Sequence, residues 1–134
     1  FPAVLRAEMR LLAEAAYPYE GCGVLVGTSE EVTEVRPGRN IRGPEDRARD
    51  RYVLDPRDIL RAERDADLAG LEVVGFWHTH PDHPSRASRF DADHAWPGYL
   101  YVIVSVIAGK SVAEQGWVLE SEDPPEFREE PLTQ

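Results

Sequence analysis

His78-Thr79-His80 is the sharpest chemical feature of the sequence. Residues i and i+2 of a strand face the same side, so both imidazoles can reach one metal ion. Pro81 ends the strand immediately afterwards and leaves the pair at a strand tip, where a site can open to solvent. A third ligand is then needed. Asp91, eleven residues beyond His80, falls in the first turn of a short helix that a loop can fold back over the strand tip. Two nitrogens and one carboxylate leave a fourth position for water, the pattern of catalytic rather than structural zinc. Structural zinc favours several cysteines, and Cys22 is the only cysteine here. Such a site works faster when a nearby carboxylate accepts a proton from the activated water and passes it to the leaving amine. Glu20 is the candidate, because it opens a glycine-flanked apolar run where a solvated charge is out of place.

Each of these residues also has a plainer reading. Glu20 can be an ordinary strand-entry carboxylate. Ser88 and Asp91 stand at the spacing of a helix N-cap and its third residue, which explains Ser-x-x-Asp without catalysis. His94 lies on the same side of that helix as Asp91 and is the substitute ligand should Asp91 not serve. His83, in the same loop, reads as solvent-exposed or substrate-facing. Cys22 reads as a small buried hydrophobe.

The surrounding elements must position these groups. Pro2 followed by Leu5, Met9, Leu12 and Ala16 predicts a helix ending before Pro18. Glu20–Gly27 reads as a buried strand, and Val32 and Val35 continue in a shorter one closed by Pro37-Gly38. Residues 36–51 form a polar loop with six arginines against three acids, a docking surface if it is more than solvated. Tyr52-Val53-Leu54 is extended. Asp55 and Pro56 then start a helix with Ile59, Leu60, Ala62, Ala66 and Ala69 on its apolar side, and Gly70 stops it. Residues 73–77 form a buried strand leading into the histidines, and a short helix runs from about Ser88 to Trp96. Trp77 and Trp96 read as core aromatics walling the site. Residues 100–107 give the strongest strand signal, 112–119 return antiparallel, and the acidic stretch of about 121–134 is an edge strand or tail. The order predicts an α+β fold in a single domain spanning 1–134.

The chain has 134 residues and a formal net charge of −10. That length suits one core and excludes a barrel hydrolase of about 200 residues or more, another home of His-x-His. Cupins, a further home, want a Glu about four residues after the second His, and position 84 is Pro. The acidic balance argues against general binding to nucleic acid or to an anionic membrane. A lone cysteine, with no apolar stretch near the ~18 residues of a membrane span and no leader at Phe1, points to the cytoplasm.

Taken together, these residues resemble the JAMM (MPN-plus) metalloprotease family. Its pattern is a Glu on an early strand, then His-x-His-Pro, six residues, and Ser-x-x-Asp. Here it reads Glu20, His78-Thr79-His80-Pro81, residues 82–87, and Ser88-Arg89-Phe90-Asp91. Pro18-Tyr19-Glu20-Gly21-Cys22-Gly23, Asn40 and Arg51-Tyr52-Val53-Leu54-Asp55-Pro56 look like the compact prokaryotic branch, and the likeness covers residues 1–120. The resemblance implies a curved, mostly antiparallel sheet, mixed in part, flanked by about three helices. It implies one Zn2+ per chain held by His78, His80 and Asp91, with Glu20 as general acid/base and Ser88 on the water or the oxyanion. The activity implied is hydrolysis of an amide or isopeptide bond after the C-terminal Gly-Gly of a ubiquitin-like or sulfur-carrier protein. Two alternatives share the fold: a non-catalytic scaffold domain, which typically lacks the ligands present here, and a DNA-repair-associated relative, which the acidic charge disfavours.

Overall fold

The computed structural model describes residues 1–41 and 52–132. Along the chain come α1 (Ala3–Ala16), β1 (Cys22–Gly27), β2 (Val32–Gly38), α2 (Pro56–Leu68) and β3 (Glu72–Pro81). They are followed by α3 (Arg89–Asp93), β4 (Leu100–Ile107), β5 (Lys110–Glu122) and β6 (Pro125–Glu130). The strands form one mixed sheet in the order β2-β1-β3-β4-β5-β6. β3 and β4 run parallel, and every other neighbouring pair is antiparallel. Parallel neighbours need a crossover connection. Residues 82–99 supply it, and α3 rides on it. The α+β expectation is borne out.

Strand alternation divides β3 between two cores. Trp77 packs with Met9 and Ala13 of α1 and with Leu25, Val102, Val104 and Val106. Phe76 packs on the opposite face with Ala62 and Ala66 of α2 and with Val24, Val26 and Tyr101. The sheet is therefore a middle layer between α1 and α2. That is why β1 and β4 read as unbroken apolar runs: both of their faces are covered. Trp77 is 2% exposed, and its Nε1–H donates to the Arg36 carbonyl at 3.0 Å. The indole crosses β1 where it has no side chain, since a Cβ on Gly23 would stand 2.3 Å from Trp77 Nε1.

The helix signals hold in part. The Asp55 side chain accepts from the Arg57 backbone N–H at 2.9 Å and caps α2, with Pro56 as its first residue. Leu60, expected on the apolar side, is 59% exposed. At 3.6 residues per turn it lies nearly opposite Ala62, so the two alanines make the contact instead.

Other boundaries differ from the sequence reading. The helix expected from Ser88 to Trp96 ends at Asp93, and Trp96 is 58% exposed rather than core. β3 runs through Pro81 instead of ending before it. Pro81 pairs beside Val106, and the ladder continues through the Asp82 N–H, which donates to the Val106 carbonyl at 2.7 Å. Residues 125–130 form the outer strand β6, paired antiparallel with β5. Among the described residues no helix is long and apolar enough to cross a membrane.

Candidate metal centre

The face of β3 that carries Phe76 also carries His78 and His80. Their Nε2 atoms lie 3.3 Å apart. Asp91, brought back on α3, sets Oδ1 3.1 Å from His78 Nε2 and Oδ2 3.2 Å from His80 Nε2. A tetrahedral ion with metal–ligand bonds near 2.05 Å has ligand–ligand edges of about 3.3 Å, which is the separation of the two Nε2 atoms, and Asp91 turns one oxygen to each imidazole. Two imidazole nitrogens facing each other and one carboxylate are also better satisfied by a cation than by shared protons. The residues fit a metal ion. The Glu20 carboxylate joins them, offering an oxygen within 4.8 Å of a ring nitrogen on each histidine. Glu20 is 6% exposed.

Backbone hydrogen bonds explain how these groups meet. Thr79, between the histidines, must face the other side of the sheet. There its Oγ1 accepts from the Gly21 N–H at 2.8 Å, while its own N–H donates to the Gly21 carbonyl at 3.0 Å. Cys22 stands opposite His78 in the β1–β3 ladder, so Glu20 is delivered to the strand tip by register. Asn40 adds a second clamp: its Nδ2 donates to the Glu20 carbonyl at 3.0 Å, and its Oδ1 accepts from the Val53 N–H at 3.1 Å.

The loop after the histidines is anchored as well. His80 Nδ1 lies 2.8 Å from the Pro84 carbonyl, which can only accept. Nδ1 therefore carries a proton, and in the neutral ring Nε2 is the nitrogen left to present a lone pair, the tautomer a metal needs. Ser105 Oγ donates to the His83 carbonyl at 2.6 Å, Ser85 Oγ donates to Gln115 Oε1 at 3.0 Å, and Trp117 Nε1–H donates to the Ser85 carbonyl at 3.2 Å.

Ser88 and Asp91 form a reciprocal capping box. Ser88 Oγ accepts from the Asp91 N–H at 3.0 Å, and Asp91 Oδ2 accepts from the Ser88 N–H at 2.9 Å. The structural reading of Ser-x-x-Asp is thus realised, and it orients Asp91. Because Oγ accepts in the cap, its own proton remains available to another acceptor.

Electrostatics follow the packing. Burial pushes the Asp91 carboxyl up, but His78, His80 and the Ser88 N–H outweigh it and hold Asp91 well below the usual carboxylate range. Burial drives His78 below the ordinary imidazole value, against the pull of Asp91. For His80 burial is outweighed by the bonds to Asp91 and Pro84, and the imidazole is raised. Burial, helped by the charges of Glu20 and Asp58, pushes the Cys22 thiol up to about 12. Cys22 is the inert buried residue expected of it.

A cleft of about 370 Å³ opens beside the centre, lined by Tyr52, Leu54, Ile59, Phe76, Trp96 and Tyr101 among others, with His78 and Asp91 in its wall. A larger groove of about 760 Å³ lies at the other end of the sheet, around Thr28–Val32, Glu72 and Leu100, away from every candidate site residue.

The five expected site residues, Glu20, His78, His80, Ser88 and Asp91, come together. His94 does not join the donors: its Nδ1 donates to the Phe90 carbonyl at 2.8 Å and its ring stacks on Phe90. Trp77 does not wall the site, because it sits between Phe76 and His78 on the strand and faces α1; Trp96 does line the cleft. Of the arginine-rich loop, Arg36 pairs with Asp65 at 2.9 Å and Arg39 with Asp55 at 3.1 Å. Arg42, Arg47, Arg49 and Arg51 lie outside the described residues. The anchoring roles of Thr79, Pro84 and Ser85 escaped the sequence reading. Only Thr79 had a signal, since a residue between two same-face strand histidines must point to the other face.

A mixed α+β sheet with a His/His/carboxylate cluster at the strand tip and a glutamate beside it defines a metal-site domain of the JAB/MPN class. Residues 2–120 match the Prok-JAB model, described as prokaryotic homologs of the JAB domain. The chain belongs to that family, and the resemblance to JAMM (MPN-plus) proteins is borne out. It is 38% identical over 91 residues to a protein of Haloferax volcanii named desampylase, covering 66% of this chain and 63% of that one. It is 34% identical over 93 residues to a Thermus thermophilus protein named probable TtuB-protein conjugate cleaving protease, covering 69% of this chain and 59% of that one. Each match spans less than two thirds of the relative's length. A Desulfitobacterium hafniense protein solved in solution superposes with a TM-score of 0.78 at 29% identity, over 96% of this chain and 86% of that one.

Proposed function

We propose that this protein is a zinc-dependent peptidase or isopeptidase that hydrolyses the amide bond after the C-terminal Gly-Gly of a ubiquitin-like or sulfur-carrier protein. His78, His80 and Asp91 hold one zinc ion per chain. When bound, the metal polarises the scissile carbonyl and lowers the pKa of a water towards about 7. Glu20, buried beside the donors, would accept a proton from the attacking water and deliver it to the departing amine. Ser88, its Oγ held by the cap with the proton free to donate, hydrogen-bonds the developing oxyanion. The cleft lined by Tyr52, Phe76 and Tyr101 accepts an apolar part of the substrate chain next to the metal. The protein acts in the cytoplasm, where buried Cys22 stays reduced.

The observation that carries this reading is the convergence of four groups at one strand tip: two Nε2 atoms 3.3 Å apart, Asp91 within 3.2 Å of both, and buried Glu20 beside them. The names of the Haloferax and Thermus relatives support conjugate cleavage as the reaction class. A scaffold domain would have no use for the complete donor set. The test is incubation with carrier proteins extended beyond Gly-Gly, followed by intact-mass analysis. Trimming back to Gly-Gly is expected, and intact substrates throughout would overturn the proposal.

A further inference from the structure

The two histidines are supported differently. His80 is oriented by its Nδ1–H bond to the Pro84 carbonyl at 2.8 Å. His78 Nδ1 is buried and has no hydrogen-bond partner among the described residues, although a ligating histidine usually fixes its second nitrogen on a carbonyl or carboxylate. What lies against His78 is the ring of Tyr52. The two centroids are 4.5 Å apart and the planes 23° from parallel. Tyr52 is itself held by its neighbours. The Ile41 N–H donates to the Val53 carbonyl at 2.9 Å, Asn40 pairs with Leu54, and Asn40 Oδ1 accepts from the Val53 N–H. Because Asn40 also bonds the Glu20 carbonyl, one side chain ties the stacking segment to the strand entry that bears the glutamate.

We propose that Tyr52 is a positioning residue for the metal site, its ring face holding the His78 imidazole in place of the missing hydrogen bond. An imidazole bound to a dication is electron-poor, and the face of a phenol ring is electron-rich. The stack is therefore stronger when metal is bound, and by linkage it must raise metal affinity. Tyr52 acts through His78 and does no chemistry itself. The ring, not the hydroxyl, carries the effect.

The inference rests on the metal part of the proposed function. Its test is competition for Zn2+ against a chromogenic chelator, with melting curves taken with and without Zn2+. Wild type is expected to bind one equivalent and Tyr52→Phe to match it within about threefold, whereas Tyr52→Leu weakens binding by about tenfold or more. The zinc-induced rise in Tm should shrink in the leucine variant alone, an effect that a merely structural role, lowering both curves equally, does not produce. Tyr52→Met fills the space without a ring face and repeats the test should the leucine variant not fold. Wild-type affinity in Tyr52→Leu, or an equal loss in Tyr52→Phe, would overturn the role of the ring while leaving the metal site standing. A wild type that takes up no zinc would overturn both.

Discussion

Neighbouring residues of β3 serve different ends. Trp77 and Thr79 face α1: the indole is sealed in a dry core, and the hydroxyl is spent on the Gly21 N–H at 2.8 Å. Phe76, His78 and His80 face the α2 side, where the apolar packing gives way to a cleft and the imidazoles turn to each other and to Asp91. The contrast shows how a single strand can both anchor a fold and display chemistry. Its period of two sends alternate residues to opposite faces, so stability on one face need not be traded against reactivity on the other.

If the faces are so divided, variants on the chemical face should lose activity and keep the fold, and variants on the α1 face should do the reverse. The largest expected effect is on cleavage. His78→Ala should lose both zinc, by metal analysis of the purified protein, and carrier trimming. Glu20→Ala should retain one zinc per chain while trimming falls about 10²–10⁴-fold; full activity in that variant would remove the glutamate from the mechanism. On the other face, Trp77→Ala should cost about 3–5 kcal/mol in denaturant unfolding, because it empties the α1 core. It should still bind zinc with wild-type stoichiometry while folded.

Thr79→Val tests the border between the faces. It leaves the buried Gly21 N–H without its side-chain acceptor, at about 1–3 kcal/mol. Because Gly21 adjoins Glu20, trimming should fall more than metal content does. The smallest effect is expected from Ser88→Ala: about 1 kcal/mol for the lost cap, read by thermal unfolding, with a separate drop in kcat. A stability change with kcat intact would reduce Ser88 to a cap alone.

Much of the site is legible in the sequence. The strand rule puts His78 and His80 on one face and the cap rule orients Asp91 by Ser88, while the loop that brings the two pairs together is anchored by Ser105, Gln115 and Trp117. Glu20 stood out as a charge opening a glycine-flanked apolar run, but nothing local links it to a strand more than fifty residues away; the β1–β3 register does that. Trp96 lines the cleft as expected but is exposed rather than core, because apolar size predicts burial only on average and says nothing of where a helix stops. Leu60 is exposed because it lies about half a turn round the helix from the buried Ala62. The roles of Asn40 and Tyr52 rest on contacts across the chain that no spacing reveals.

By itself the sequence determined the donor types, their strand and cap offsets, the strands β1 and β4, and membership in the JAB family. These follow from local periodicity and short-range hydrogen bonding, which are properties of neighbouring residues. Only the tertiary structure decided which face of β3 meets α1, how Thr79 locks Glu20 beside the histidines, and that one imidazole is held by a carbonyl and the other by an aromatic ring. Those outcomes depend on register and on packing between distant segments, where many arrangements share the same local pattern and the lowest free energy selects among them.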